Sequence, residues 1–105
     1  MVKKVLFILF LCFSTAVFSQ KTLQKLTAAP NPFFSKTNIQ FNTTKNETVF
    51  LIIKNVLGKT VFSKAYTTKI GSNKITFNRD NLQPGMYIYA IRSSNEMISK
   101  RFVIK

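Results

Sequence analysis

Histidine is missing from the chain, acids are limited to Glu47, Asp80 and Glu96, and the single cysteine, Cys12, lies inside an apolar run near the N-terminus. General acid–base catalysis draws on groups that titrate near neutral pH, most often histidine, or on paired carboxylates with separated pKa values. A metal site needs histidine, cysteine or clustered carboxylates. After Cys12 the sequence supplies none of these. No enzyme, metal or cofactor is expected. Ser63-Lys64 and Ser99-Lys100 bring hydroxyl and amine together in sequence, but in strand-like segments, where neighbours point to opposite faces. They read as strand surface.

The N-terminus has the anatomy of a secretory signal peptide. Lys3 and Lys4 precede an unbroken apolar run from Val5 to Phe13, and Val17 and Ser19 occupy the small-residue positions before a cut between Ser19 and Gln20. The run is well short of the roughly 20 residues that span a bilayer, so no stable transmembrane anchor is expected. Cys12 follows Phe10 and Leu11 rather than small residues, which argues against lipidation. Cleavage would remove Cys12, leaving a mature chain without disulfides. It would also lower the formal charge from +13 to +11, since Lys3 and Lys4 leave with the signal. What remains has the length of one domain and buries only about 60–65% of its unfolded surface, so a well-filled apolar core is required.

No segment keeps a helical period. Short β-rich runs broken by turn residues predict an all-β sandwich. Ala29-Pro30-Asn31-Pro32 reads as an extended entry, with residues 20–28 before it a short linker or remnant. Strands follow at Thr37–Phe41, Thr48–Lys54, Thr60–Thr67, Lys74–Asn78, Met86–Arg92 and Met97–Ile104, giving about seven strands with the entry included. The run from Thr48 to Lys54 is apolar on both faces, as for a central strand covered on both sides. Short connections make the pairing antiparallel. Gly58 suits the positive-φ position of a bulged hairpin loop. Leu82 and Tyr87 bracket Pro84-Gly85 in the manner of the tyrosine corner of immunoglobulin-like sandwiches.

Positive charge is spread over nearly every strand and loop rather than gathered into a stripe. Together with export, this argues against a nucleic-acid partner. It fits solubility and protection of edge strands by lysine, with weak attraction to an anionic outer envelope as a further reading. Asn42-Thr43-Thr44 and Asn46-Glu47-Thr48 match glycosylation sequons, which arise easily by chance in a chain this rich in Asn and Thr.

A Pro-Asn-Pro entry, an Asn-x-x-Gly-Lys hairpin, a Leu-x-x-Gly-x-Tyr corner and a Lys-Arg-Phe-Val-Ile-Lys finish together resemble the C-terminal sorting domain, type A, of the type IX (Por) secretion system in Bacteroidetes. The resemblance runs from about Ala29 to Lys105. It implies an immunoglobulin- or fibronectin-III-like antiparallel β-sandwich that acts as an address. Proteins of this kind pass the periplasm and cross the outer membrane by a dedicated translocon to the cell surface. There a sortase often removes the domain and attaches the cargo to anionic lipopolysaccharide.

Carried onto this chain, the motif positions are Asn31 and Pro32, Gly58 and Lys59, Leu82, Gly85 and Tyr87, and Lys100, Val103, Ile104 and Lys105. The last strand and its lysines are expected as the recognition surface, read by strand addition to a receptor or as part of the assembled sandwich end. Asn55 stands where the family often has aspartate, a mild change in a turn. Between Ser19 and the entry only about ten residues remain, so no cargo is present. Either a fragment of a larger gene or a small exported protein would account for that. The alternative function is a small secreted basic sandwich, adhesive or structural, binding anionic envelope glycans. A monomer is expected in either case.

Overall fold

The computed structural model describes residues 21–105, and the signal segment with its Ser19–Gln20 junction lies outside them. Seven strands follow one another: β1 (Leu23–Ala29), β2 (Lys36–Thr43), β3 (Thr48–Lys54), β4 (Thr60–Thr67), β5 (Gly71–Asn78), β6 (Gly85–Arg92) and β7 (Met97–Ile104). They form a three-stranded sheet in the order β1-β2-β5 and a four-stranded sheet in the order β4-β3-β6-β7. Every strand pair is antiparallel. The fold is the all-β sandwich that the alternating runs predict, without a helix among the described residues.

The first strand lies where a linker is expected. Leu23 to Ala29 pairs with β2, and Leu23 and Leu26 are buried in the core. Its sequence, LQKLTAA, spaces the two leucines by three, which conceals the period of two. A bulge makes up the difference: register shifts between Gln24 and Thr27, and Lys25 takes a φ of 58°. One extra residue there returns Leu26 to the inner face. The prolines come after this strand rather than starting the fold, and both the Ala29-Pro30 and Asn31-Pro32 bonds are cis.

Alternation places the core. Ile39 and Phe41 of β2, Val49, Leu51 and Ile53 of β3, Ile75 and Phe77 of β5, and Tyr87, Tyr89 and Ile91 of β6 all point between the sheets and are buried. Phe102 of β7 sits at the centre. Its ring stacks on Tyr89 (centroids 5.1 Å apart) and Phe77 (5.8 Å) and meets Phe33 edge-on (5.0 Å). Burial among these side chains pushes the Tyr89 phenol above its ordinary pKa.

The strand β3 is central, but only its inner side is covered by the other sheet. Its outer residue Phe50 remains 38% exposed. This corrects the expectation of a strand covered on both sides. The apolar outer positions belong to an open sheet face.

The β3–β4 hairpin is shaped by Asn55 and Gly58. The Asn55 Oδ1 accepts from the backbone N–H groups of Leu57 and Lys59, each at 3.0 Å, and the Gly58 N–H donates to the Asn55 carbonyl. Gly58 has a φ of 83°, which a side chain would strain. Aspartate would supply the same acceptor, which accounts for the mildness of asparagine here. Asn55→Ala, which leaves two turn N–H groups to water, is expected to cost about 1 kcal/mol. Asn55→Asp is expected to cost less than half of that, and urea melts of the two variants check both values.

Candidate recognition site at one end of the sandwich

Strand register brings the motif positions other than Lys100 together. Lys54 lies opposite Ile88, and Ile88 opposite Arg101. Continuing past these pairs, the Asn55–Lys59 turn, the start of β6 and the end of β7 all emerge at the same end. The sheet β1-β2-β5 adds its own pieces at that end, since Lys36 faces Asn78. The Pro-Asn-Pro entry leads into one of these strands and the corner leaves the other.

The entry and the terminal strand are directly bonded. Asn31 donates from Nδ2 to the Arg101 carbonyl (3.2 Å), and its Oδ1 accepts from the Val103 N–H (3.0 Å). Phe33 continues as a one-residue parallel bridge to Ile104. Its N–H donates to the Val103 carbonyl at 3.0 Å, and its carbonyl accepts from Lys105 N–H at 2.8 Å. The free edge of β7 from Arg101 to Lys105 is thus already hydrogen-bonded, partly by a side chain that imitates a strand. Adding this segment to a receptor sheet would first require displacing Asn31 and Phe33. Strand addition there is disfavoured for that reason.

The corner is closed by two side chains. The Tyr87 hydroxyl donates to the Gln83 carbonyl at 2.7 Å, the expected tyrosine corner. Leu82 packs against the core, and Gly85 takes a φ of 150° at the start of β6. Arg79, which sequence patterns did not single out, joins all the parts. Its Nε and Nη2 donate to the Leu82 carbonyl (3.2 and 2.9 Å). Its Nη1 donates to the main-chain oxygens of Phe34 (3.1 Å) and Lys105 (2.9 Å). One guanidinium therefore ties corner, entry and final residue, a use suited to its fork of donors. Its position just after β5 and before the corner was the available signal. Phe34, exposed beside it, carries the Lys105 Nζ 5.1 Å above its ring.

The motif residues therefore divide. Ile104 and Tyr87 are buried and serve the fold, whereas Pro32, Lys59, Val103 and Lys105 are at the surface. Lys100 stands apart. It pairs with Tyr89 in mid-strand, on the core-facing side of the edge strand, yet its side chain is exposed. Lys64 holds the matching position on the opposite edge strand, facing Leu51. Inward-turned charge at both edges is a device against sheet-to-sheet aggregation, and it accounts for Lys100 structurally.

The far end of the sandwich is fastened by Glu96. Its carboxylate accepts from the Thr22 hydroxyl, the Thr22 N–H (2.7 Å) and the Leu23 N–H (3.3 Å). The Thr22 hydroxyl foremost, then the two N–H groups and the Lys45 charge, hold its pKa below the ordinary carboxylate range, against the opposing effect of burial. A lowered folded-state pKa means that this stabilisation is complete above the unfolded value near 4.3. It is lost as pH falls through the lower folded value. Melting temperature should therefore fall further between pH 6 and pH 3 for the wild type than for Glu96→Gln. Equal falls would show that the Thr22 contacts do not act through charge.

No group of histidine, cysteine, aspartate or glutamate that could hold a metal ion occurs among the described residues.

Comparison with solved structures returns a β-glucosidase from Listeria innocua in its glucose complex, at 10% identity and a TM-score of 0.44. The match covers 83% of this chain and 17% of that one. The D270A mutant of the same enzyme with laminaribiose gives 11% identity and a TM-score of 0.41, over 84% and 17%. The chain spans about a sixth of the length of these enzymes. No curated protein matches by sequence. The family model for the secretion system C-terminal sorting domain matches residues 27–105. The chain belongs to the family of C-terminal sorting domains of the type IX secretion system.

Proposed function

We propose that this domain is a non-enzymatic address that directs an exported protein through the type IX outer-membrane translocon to the cell surface. The family match over residues 27–105 supports the reading most directly. The gathering of entry, hairpin, corner and terminal strand at one end adds a physical reason for those motifs to travel together. The partner in this reading is the translocon, with a surface sortase and anionic lipopolysaccharide as later encounters. Export begins with the N-terminal signal peptide, cut between Ser19 and Gln20.

Within the address, Asn31, Arg79, Tyr87 and Gly85 hold the end in shape, while Val103, Lys105, Lys59 and Pro32 offer it to solvent. The test fuses residues 20–105 behind an inert exported reporter in a type IX-competent Bacteroidetes cell. The reporter is expected on the cell surface, and its retention in the periplasm would count against the proposal.

A further inference from the structure

The two outer faces of the sandwich differ in kind. On the three-stranded sheet, β2 presents Asn38, Gln40 and Asn42, and β5 presents Ser72, Lys74 and Thr76, the polar surface expected of a solvated face. On the four-stranded sheet the apolar outward positions are Phe50 and Ile52 of β3, Met86, Ile88 and Ala90 of β6, and Met97 and Val103 of β7, with Lys54, Arg92, Ser99 and Arg101 among them and Ser63 and Thr67 on β4. Ile88 is 39% exposed. Between Ile52, Ile88 and Ala90 runs a groove of about 280 Å³, with Lys54 and Arg92 along it. An apolar face of this kind on a small domain marks an interaction site.

Charge narrows the occupant. The strands β3, β4, β6 and β7 contain no acid, and the outward register carries Lys54, Arg92 and Arg101. Arg92 lies 5.5 Å over the Phe50 ring, with its charge at the margin of the apolar surface. The three acids lie elsewhere: Glu47 precedes β3, Asp80 is in the corner, and Glu96 is turned towards Thr22. A second copy would set like charges against each other. Membrane-binding faces insert protruding apolar side chains, whereas this face is indented between Ile52, Ile88 and Ala90.

We propose that the outer face of the four-stranded sheet docks a partner protein that presents an extended apolar segment flanked by carboxylates. The proposal rests on the sorting reading and names the surface that the reading requires. Ile88 and Ala90 supply apolar contact, and Lys54, Arg92 and Arg101 meet the carboxylates at the rim.

The test compares three reporter fusions of residues 20–105: the wild type, Ile88→Thr with Met97→Thr, and Lys54→Glu with Arg92→Glu. Threonine keeps strand propensity at both positions, and melting curves of the purified domains verify the fold. Should the threonine pair fail to fold, the charge pair carries the test. Delivery is expected for the wild type and reduced at least tenfold in a folded variant. Equal delivery by folded variants overturns the docking face while leaving the sorting reading intact. Failure of the wild type itself removes both.

A second arm titrates the purified domain with a nine-residue peptide of alternating aspartate and leucine, followed by amide chemical shifts. Shifts confined to β3, β6 and β7, and weakened tenfold by either variant, are expected. Absence of shifts there, or binding of this face to phosphatidylglycerol vesicles in place of the peptide, would overturn a protein partner.

Discussion

Phe102→Ala is expected to lower the unfolding free energy by about 3–5 kcal/mol. The Phe102 side chain is fully buried, and its ring meets Phe33, Phe77, Tyr87 and Tyr89. Removing it deletes the transfer free energy of a phenyl group and leaves a cavity walled by rings that β-sheet backbones hold in place. Aromatic pairs of this geometry add about 0.5–1.5 kcal/mol each beyond buried area. A domain this small lies near the low end of the usual range, at about 5 kcal/mol, so the variant should be close to unfolding at 37 °C. Its neighbour gives the contrast. Val103 points outward, and Val103→Ala should cost less than about 1 kcal/mol. Urea denaturation of both, with unchanged m-values, checks the pair. Similar losses at 102 and 103 would contradict the inward and outward assignment of β7.

Arg79→Met carries the second large effect, about 1.5–3 kcal/mol, the range for hydrogen bonds made by a charged group. The methionine stem preserves the packing of the side chain while removing the donors to Leu82, Phe34 and Lys105. Arg79→Lys should recover little, because an ammonium group cannot reach three main-chain oxygens from one plane. A purely local role would destabilise the corner alone. The Arg79 bonds to Phe34 and Lys105 predict more, namely faster amide exchange at Phe33 and Lys105 as well as at Leu82. Protection unchanged at Phe33 and Lys105 would confine Arg79 to the corner.

Much of this fold was legible in the sequence, and the reasons are local. Strands β3 and β4 match their runs at both ends, β3 because Asn46 and Asn55 flank it and β4 because the Gly58 turn opens it, and the Gly58 and Tyr87 positions follow from turn geometry. The first strand was not legible, since a bulge at Lys25 breaks the period that would have exposed it. Hydrogen bonds between Asn31 and β7 span about 70 residues of sequence, and no local pattern encodes them. Arg79 was hidden for the same reason. Its partners are backbone oxygens, which leave no trace in residue type.

These contacts change how the terminal strand should be tested. Deleting Phe102 to Lys105 removes the aromatic centre together with the exposed side chains. Lost delivery after that truncation would report a lost fold, whereas outward substitutions at Val103 or Lys105 spare the core.

The most direct measurement is the fraction of a reporter fused to residues 20–105 that is accessible at the cell surface, compared between translocon-competent and translocon-deleted cells. Surface accessibility is expected in the first and periplasmic retention in the second. Equal fractions in the two, or a periplasmic reporter in both, would contradict the sorting role.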